Sequence, residues 1–439
     1  MRRISLLLGA TLCFMSYTNA QEVKEKEVKR IVSTLAADDM EGRAPGTPGI
    51  EKAAAFISKE FASANLLPLP GESSYLQKFN KYFLSTTSHL LKINGESKDW
   101  IVMPIGNNPD INWTIDGSYT IVHVKDRRDL IKALRSGTPE KNTLVLIDSS
   151  LTEFVSAIHG HFSEKVFDTK EALESAVEKA KSGSQIVAVL EQSPIADDAK
   201  IEINIKRTIS VKPYENVGGM IKGRSKPNEY VVFSGHYDHL GILPPVNGDA
   251  IANGADDDAS GTTAVIMLAK YFSKLKPERS VIFVAFTAEE SGGYGSTYFS
   301  ENLDPDKVIA MFNIEMIGKE SKFGKNSAFI TGFDRSDFGP ILQRNLKGSV
   351  FNFYPDPYPE QDLFYRSDNA TLARKGVPAH TISTTQIDKD QYYHTVDDEV
   401  ETLDIKNITS IIKAIAASST SIVNGTETPT RIEKESLKK

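Results

Sequence analysis

The sequence has little cysteine, no surplus of positive charge and no long apolar stretch. Its 439 residues contain one cysteine, Cys13. Disulfide bonds within the chain are therefore excluded, and stability must come from a packed core. Acidic residues outnumber basic ones, 58 to 51, which gives a formal net charge of −7. This balance gives no reason to expect a nucleic-acid partner.

The amino terminus has the pattern of an export signal. Arg2 and Arg3 precede the apolar run Ile4–Met15, and Ala20 ends the short polar segment that follows. We therefore predict a signal peptide over residues 1–20 and an exported protein, periplasmic or extracellular. The apolar run is too short to cross a bilayer, so no membrane span is expected after the signal is removed.

The rest of the chain has the composition of a globular protein, with 40% hydrophobic and 25% charged residues. Its length allows one large domain and a smaller one. Within residues 230–318, the apolar runs Val231–Phe233, Val281–Phe286 and Val308–Ile314 alternate with helical segments such as Thr262–Phe272. This alternation predicts an α/β fold with a doubly wound, mostly parallel sheet and helices on both faces.

A cluster of polar residues follows each apolar run or opens a helix. The clusters are Gly235–His239 (GHYDH), Gly254–Gly261 (GADDDASG), Ala288–Glu290 (AEE) and Asn313–Met316 (NIEM). Ligands of such sheets bind at the carboxyl ends of the strands, where all four clusters fall. Histidine and carboxylate ligands without cysteine suit zinc, and less often manganese or cobalt.

Each cluster taken alone has an ordinary explanation. A histidine after a strand is commonly a loop residue, and acidic residues before a helix are favoured by the helix dipole. A Glu-Glu pair is common in solvated turns. Four such clusters at the same edge of one predicted sheet favour a metal centre instead.

These clusters resemble the family of co-catalytic di-zinc aminopeptidases, which also includes glutamate carboxypeptidase, glutaminyl cyclase and the transferrin receptor ectodomain. The matching segments, in the order of the family, are His236-Tyr237-Asp238, Ala255-Asp256-Asp257 with Ala259-Ser260-Gly261, Glu289-Glu290, Glu315-Met316-Ile317-Gly318, and Tyr393-His394-Thr395 with Asp397-Asp398. The resemblance covers about residues 28–85 and 215–422. It implies the zinc exopeptidase fold, with a smaller inserted α+β domain.

The resemblance implies two zinc ions per chain and assigns their ligands by position. His236 and Glu315 would hold one ion, and Glu290 and His394 would hold the other. Asp256 would bridge the two ions, and the peptide bond that follows it, Asp256–Asp257, would be cis.

The resemblance also implies which residues act on the substrate. Glu289 would be the general base, which takes a proton from water shared by the two ions and gives it to the leaving amine. Asp238 would fix the ring of His236. The hydroxyl of Tyr393 would help to hold the oxyanion, or Tyr393 would serve only in packing.

Two positions depart from the family pattern. Glu315 stands where aspartate is usual, which keeps a carboxylate but alters geometry or affinity. Asn369 stands where histidine is usual, near the expected substrate pocket, so substrate specificity stays open. Of the other histidines, His239 is expected beside the ligands or at the surface, and His380 in the core.

These inferences divide the chain into a signal peptide at residues 1–20, a catalytic domain formed by residues 21–87 and 216–424, and an inserted domain at residues 88–215. The insert has short alternating strands and no metal motif. The inserted domain could act as a lid over the substrate or serve only in packing, and the sequence leaves both roles open. Residues 425–439 are polar and are expected to form a flexible tail.

The expected function is that of a secreted zinc metallopeptidase, most specifically an aminopeptidase. It would hydrolyse the N-terminal bond of a peptide by attack of a metal-bridging hydroxide. A glutaminyl cyclase would use the same fold with one zinc, and a carboxypeptidase would need a cation such as Arg366 to hold the substrate carboxylate. A non-catalytic, receptor-like domain is expected to have lost ligands, and all five positions here keep one. The oligomeric state stays open.

Overall fold

The computed structural model describes residues 23–116, 118–135, 139–196 and 198–433. The predicted signal peptide, with Cys13, lies outside the described residues. The described chain divides into two compact units. The first holds the residues up to Gln77 and from Glu215 onward, and the second holds Lys78–Tyr214. The inserted unit therefore begins at residue 78, earlier than the predicted boundary at residue 88.

The helices of the described ranges are, in chain order, α1 Glu25–Leu35, α2 Pro48–Ser63, α3 Arg127–Leu134, α4 Thr152–Ser163, α5 Lys170–Lys181, α6 Gly261–Phe272, α7 Tyr294–Glu301, α8 Phe338–Asn345, α9 Asn369–Ala373, α10 Ile405–Ser418 and α11 Thr420–Val423. Within those ranges, none of the helices combines the length and the apolar character that crossing a membrane requires.

The strands of the same ranges are β1 Leu67–Pro68, β2 Leu76–Ile93, β3 Glu96–Lys98, β4 Val102–Ile105, β5 Asp110–Thr114, β6 Thr120–Val124, β7 Thr143–Ile147, β8 Glu164–Phe167, β9 Ile186–Leu190, β10 Ile201–Ile221, β11 Lys226–His236, β12 Gly241–Val246, β13 Asp249–Ala252, β14 Arg279–Phe286, β15 Val308–Ile314, β16 Ser327–Ile330, β17 Asn352–Pro355 and β18 Ala379–Ser383. Strands β2 and β10 each begin in one unit and end in the other.

The first unit is built on a sheet in the order β17-β16-β18-β15-β11-β14, followed by the end of β10. Strands β14, β11, β15 and β18 are parallel to one another. The antiparallel pairs are β10 with β14 and β16 with β18. The predicted α/β class, with a mostly parallel sheet, is therefore confirmed.

The central strands are apolar on both faces because helices cover both sides of the sheet. Every residue of β14 is buried. On one face, the ring of Phe233 stacks between Phe283 and Phe312 of the neighbouring strands, with ring centroids 5.6 and 4.7 Å apart. This face packs against α1, α2, α6, α8 and α10. The other face packs against α7 and α9.

The inserted unit has its own core. Its four-stranded sheet has the order β4-β9-β7-β6, in which β6, β7 and β9 are parallel and β4 is antiparallel to β9. Every residue of β7 and β9 is buried. Strands β3 and β8 pair with β2, and β5 pairs with β10, all antiparallel.

The end of the chain differs from the flexible tail that its composition suggests. Residues 425–433 pack against the first unit: Ile432 is 2% exposed, and its N–H donates to the carbonyl of Gly376 (3.1 Å). Thr430 donates to Asp337 through its N–H and its hydroxyl. Polar composition misled the prediction because the partners of this segment lie far away in sequence.

Candidate metal centre

Polar residues converge where the parallel strands of the first unit end. They are His236 at the end of β11, the turn Ala255–Ser260 before α6, Glu289 and Glu290 after β14, Glu315 after β15, and His394 in the loop after β18. They meet because parallel neighbours end at one edge of the sheet.

Left-handed backbone conformations shape three of these loops. Ala288 has a φ of 57°, Met316 of 52° and His394 of 59°. Residues other than glycine rarely adopt such angles, which persist where the surrounding structure imposes them. Ala288 and Met316 adjoin Glu289 and Glu315, so the chain turns sharply at the positions that bring carboxylates into the site.

The carboxylate of Asp257 lies between two histidines. Its Oδ1 is 3.1 Å from Nε2 of His236, and its Oδ2 is 3.2 Å from Nε2 of His394. Nε2 of His394 is also 3.1 Å from Oε2 of Glu290. One carboxylate thus faces two separate groups of ligand atoms, one through each oxygen.

These distances fit metal ligands. Two atoms bound to one tetrahedral zinc at its usual bond lengths lie roughly 3.3 Å apart. Nε2 of His236 is buried and has no hydrogen-bond partner among the described residues, as expected for a nitrogen whose lone pair serves a metal. The donor set of imidazoles and carboxylates suits zinc. The predicted ligands His236, Glu290 and His394 are thus brought together, and their roles as ligands stay predictions.

The structure differs from the prediction in the residue that lies between the histidines, which is Asp257 rather than Asp256. The carboxylate of Asp256 has other partners: Oδ1 accepts the N–H of Gly318 (2.6 Å), and Oδ2 accepts the hydroxyl of Thr385 (2.5 Å). Asp256 therefore fixes the chain after β15, and the middle aspartate of the three is the one that lies between the histidines.

The third aspartate, Asp258, is also a structural residue. Its carboxylate accepts the N–H groups of His236 (3.2 Å), Gly261 (3.0 Å) and Met316 (3.0 Å). It thereby joins the end of β11, the start of α6 and the end of β15. The cis peptide bond lies between Asp257 and Asp258, one bond later than predicted.

Asp238 holds the loop of the two glutamates. Its Oδ1 accepts the N–H of Glu289 (3.1 Å), and its Oδ2 accepts the N–H of Glu290 (3.4 Å). The ring of His236 has a different partner, because its Nδ1 lies 3.1 Å from the main-chain oxygen of Asp238 and 3.8 Å from the carboxylate. Asp238 therefore orients His236 through its backbone, and not through its side chain as predicted.

Glu289 is surrounded by charged residues of the site. Burial, reinforced by the charges of Glu315, Asp368 and Asp257, raises its pKa well above the usual range, although His236 opposes the shift. Burial also raises the pKa of Asp368 to about 6. Neither carboxylate oxygen of Asp368 makes a hydrogen bond with the described residues. The family resemblance placed the segment Ser367-Asp368-Asn369 near the expected substrate pocket but assigned no role to Asp368, whose carboxylate reaches the site only through the fold.

Glu315 lies at the border between this cluster and a neighbouring pocket. Its Oε2 accepts hydrogen bonds from the hydroxyl of Ser367 and from Nδ2 of Asn313 (3.3 Å). Burial raises its pKa to about 7, with His236 opposing the shift and Asp257 adding to it. The pocket beside it is lined by Met316, Phe329, Leu363, Arg366, Ile387 and Tyr393, among others.

Tyr393 lines this pocket and stacks on His394, with ring centroids 3.8 Å apart. Burial, together with the surrounding carboxylates, raises the pKa of Tyr393, so its hydroxyl keeps its proton. Its place beside Glu315 fits both roles predicted for it, oxyanion contact and packing.

Two further carboxylates and a lysine support the site from behind. Asp398 accepts the N–H groups of Asp256 (3.0 Å) and Asp257 (3.0 Å). Lys319 contacts Asp390 (2.8 Å) and lies 3.9 Å from Asp398. The loop that carries His394 is thus tied to the turn that carries Asp257. The family resemblance had already singled out Asp398, but no role followed from sequence alone.

Arg43 is a fully buried cation next to the site. Its guanidinium donates to the carbonyl oxygens of Tyr237 (2.8 Å), Asn253 (2.5 Å), Gly254 (2.9 Å) and Leu35 (2.8 Å). It therefore joins the segment after His236 to the segment before the aspartates. Sequence analysis recognised this stretch only as a family loop, because the acceptors are backbone atoms.

The two remaining polar positions discussed above are structural. Asn369, the departure from the family pattern, is buried and donates to the carbonyls of Phe364 (3.1 Å) and Ala379 (3.2 Å). His380 is buried in β18, as predicted; its Nδ1 lies 2.9 Å from the carbonyl oxygen of Thr331, and its Nε2 lies 2.8 Å from the hydroxyl of Ser336.

Comparison with known proteins gives the family context of this site. Residues 216–419 match the model of peptidase family M28. A probable zinc metalloprotease of Pyrenophora teres f. teres is 36% identical over 108 residues, which are 24% of this chain and 22% of that protein. An aminopeptidase of Pseudomonas aeruginosa is 35% identical over 164 residues, which are 35% of this chain and 28% of that protein. The chain thus covers less than a third of each relative.

Solved structures match almost the whole chain. An aminopeptidase from Aneurinibacillus sp. strain AM-1 has a TM-score of 0.57 at 19% identity, over 92% of this chain and 95% of that one. A zinc aminopeptidase from Bacillus subtilis has a TM-score of 0.53 at 15% identity, over 92% and 97% of the two chains. Because the sequence identities are this low, these structural matches establish a shared fold and nothing more.

Proposed function

Residues 216–419 match the model of peptidase family M28, and on that basis we propose that this chain is a zinc-dependent aminopeptidase. One observation carries the proposal: the two oxygens of Asp257 each face a different histidine, at 3.1 and 3.2 Å. A carboxylate in this position can serve two cations at once. The zinc metalloproteases and aminopeptidases among the relatives support the same chemistry.

The proposal places two zinc ions in the site. His236, Asp257 and Glu315 would hold one, and Asp257, Glu290 and His394 would hold the other. When bound, zinc supplies Lewis-acid polarisation of the scissile carbonyl and a lowered pKa for water. His394 is the most accessible of the three side chains that meet at the second position, 36% exposed against 4% for Asp257 and 9% for Glu290. We therefore expect substrate to approach from its side.

Glu289 is the residue that moves the proton. It is half-buried beside the proposed ligand Glu290. Without metal, burial and the neighbouring carboxylates raise its pKa, and the charge of bound zinc would lower the pKa again, so that the carboxylate would take up a proton from the attacking water. It then gives that proton to the leaving amine. Tyr393, which keeps its hydroxyl proton, would donate a hydrogen bond to the oxygen of the scissile carbonyl as negative charge develops there.

The charge of the site favours a free amino group over a free carboxylate. Asp257, Glu289, Glu290 and Glu315 surround the position where the reacting end of a peptide would lie, and carboxylates bind an ammonium group. A carboxypeptidase is the second candidate because Arg366 lines the adjoining pocket. This guanidinium is exposed and makes one long hydrogen bond, to Gln361 (3.4 Å).

One peptide in three forms distinguishes these candidates. The peptide is digested free, N-acetylated and C-amidated, and the products are followed by mass spectrometry. An aminopeptidase shortens the free and amidated forms stepwise from the N-terminus and leaves the acetylated form intact. Shortening from the C-terminus that amidation blocks would contradict the proposal and identify Arg366 as the carboxylate anchor.

We also propose that the protein is exported to the periplasm or beyond the cell. The proposal rests on the pattern of residues 1–20, with Arg2 and Arg3 before an apolar run. Amino-terminal sequencing of the protein isolated from its natural host tests it. A mature chain that starts after Ala20 is expected, and a chain that retains Met1 in the cytoplasm would contradict it.

A further inference from the structure

A second histidine contacts the proposed metal ligand Glu290 from the side away from His394. Nδ1 of His239 lies 2.8 Å from Oε1 of Glu290, while Oε2 of the same carboxylate faces His394. We propose that His239 is a positioning residue, which fixes Glu290 so that Oε2 serves the metal. The inference rests on the proposed function, since it assumes zinc beside Glu290 and His394.

The distance between His239 and Glu290 indicates a hydrogen bond and not two ligands of one zinc ion. A spacing of 2.8 Å is a hydrogen-bond length and is shorter than the roughly 3.3 Å between two ligands of one zinc. The other nearby carboxylate oxygen, Oδ2 of Asp257, is 3.9 Å from Nδ1 of His239. A carboxylate only accepts hydrogen bonds, so Nδ1–H donates to Oε1, and the ring is in the tautomer with its proton on Nδ1.

The imidazole of His239 belongs, with Asp257 and Glu290, to a group whose possible ligand atoms lie within 4.8 Å of one another, so direct metal binding is the alternative role that the distances above argue against. The imidazole is fully buried, and its Nε2 has no hydrogen-bond partner among the described residues. The ring therefore makes its side-chain hydrogen bond to Glu290 alone within that part of the chain. Burying a polar ring with one unpaired nitrogen costs stability. The hydrogen bond to Glu290 is therefore the interaction that explains why a histidine is present at this buried position.

The backbone is shaped to hold this ring. A Cβ at Gly254 would lie 2.5 Å from Cγ and Cδ2 of His239, which is too close for any side chain. Gly254 also has a φ of +54°, a conformation that favours glycine. The N–H of His239 donates to the carbonyl of Arg43 (3.3 Å), which fixes the main chain on the other side. The ring is thus held against Gly254 with Nδ1 directed at Glu290.

Two variants of nearly equal shape test the proposal. His239→Asn keeps an N–H at the position of Nδ1, whereas His239→Leu replaces it with a methyl group. Zinc bound per chain is measured by elemental analysis across a series of buffered free-zinc concentrations. We expect His239→Leu to weaken one of the two sites by about 10–100-fold, the usual effect of removing a hydrogen-bond partner of a ligand. His239→Asn should stay within a few-fold of the wild type.

A double variant shows whether the effect passes through Glu290. In a Glu290→Ala background, His239→Leu should cause no further loss of zinc. The unfolding temperature of each metal-free protein confirms that the variants fold, and His239→Ala replaces the leucine variant if leucine disrupts packing.

Unchanged zinc affinity in His239→Leu would overturn the proposal, and so would an equal loss in the asparagine variant or an additive loss in the double variant. Failure of the wild type itself to bind a second zinc would instead contradict the proposed function.

Discussion

Glu289 is the residue on which the proposed chemistry depends most. Its carboxylate interacts electrostatically with His236, Glu315, Asp368 and Asp257. Its backbone N–H is held by Asp238 (3.1 Å). Glu289→Gln keeps the shape and removes the base, so kcat should fall by about 10²–10⁴-fold while two zinc ions stay bound. Steady-state kinetics on an aminoacyl chromogenic amide and elemental analysis measure the two effects.

Glu301→Gln is the matched control, because Glu301 is an exposed glutamate at the end of α7. It should leave kcat unchanged. Near-normal turnover in Glu289→Gln would show that another residue is the base, with Asp368 the next carboxylate to test.

His380 predicts a pH effect that is independent of the metal site. Burial lowers its pKa to about 4, from an ordinary value of 6.5. The unfolded chain therefore binds more protons than the folded one between these values, and stability is lost as pH falls from 6.5 towards 4. The contribution is about 1.4 kcal/mol per pH unit over that window, or roughly 3 kcal/mol in total.

His380→Asn keeps a donor for the carbonyl of Thr331 and removes the titrating ring. Chemical denaturation at a series of pH values between 4 and 7 should give a flatter pH dependence for the variant than for the wild type. Two curves with the same slope, offset only by a constant loss of stability, would show that His380 does not titrate in this range.

At the scale of single residues, the roles of the three consecutive aspartates could not be assigned from the sequence. The family resemblance implies that one of them bridges two metals, but Asp256, Asp257 and Asp258 are chemically identical and adjacent in sequence. What distinguishes them is their partners: Thr385 and Gly318 bind the first, the two histidines flank the second, and backbone N–H groups bind the third. Those partners come from distant parts of the chain, and spacing alone does not reveal them.

Among the elements, the strands of the first unit could be predicted from the sequence. The buried side chains that hold the loops after these strands could not. The apolar runs at residues 231–233, 281–286 and 308–314 lie within β11, β14 and β15. Short, continuous runs of apolar residues are enough to predict these strands, because buried parallel strands are apolar on both faces. Arg43 is different: its acceptors are main-chain oxygens, and any sequence supplies those.

Arg43 gives a prediction about the loops it joins. Arg43→Lys keeps the charge but cannot donate to four separate carbonyls, and buried acceptors left unpaired cost about 1–3 kcal/mol each. We expect a loss of stability of several kcal/mol and weaker zinc binding, because the segments around His236 and Asp257 are no longer held together. Denaturation and zinc titration measure the two effects.

Arg279 is the control for that experiment. It is equally buried, and it donates to Glu229 and to the carbonyls of Ile422 and Glu427. Arg279→Lys should lower stability without changing zinc affinity. Equal losses of zinc affinity in both variants would mean that affinity follows overall stability and that Arg43 has no specific role.

At the scale of the whole molecule, we expect bound metal to contribute to stability. The residues after the predicted signal contain no cysteine, so no disulfide supports them. Burial raises the pKa values of Asp238, Glu289, Glu315 and Asp368, which shows that these acids are charged at a cost unless cations are near. Bound zinc would stabilise the folded state by a free energy that grows with the logarithm of the ratio of zinc concentration to dissociation constant.

Chelation should therefore lower the unfolding temperature of the first unit by about 5–10 °C, a shift expected for an ion present at a hundred times its dissociation constant. Differential scanning calorimetry with and without EDTA measures it, and added zinc should restore the original value. His394→Ala should show a smaller chelation effect. Identical transitions in all these conditions would contradict a contribution of metal to stability.

The division into two units was predictable in outline, because the motifs stop at the insert and resume after it. Its boundary was not, since β2 and β10 run through it without a break in strand pattern. The position of residues 425–433 was missed for a related reason: Ile432 is one apolar residue in a polar segment, and only the fold supplies its pocket. A lid role for the insert stays a prediction.

The central claim is that Asp257 is shared by two zinc ions. Crystals grown with zinc, with diffraction data collected on both sides of the zinc absorption edge, test it most directly. The account predicts two anomalous peaks, one beside His236 and one beside His394, each within bonding distance of a different oxygen of Asp257. A single peak, or a peak beside the carboxylate of Asp256, would contradict it.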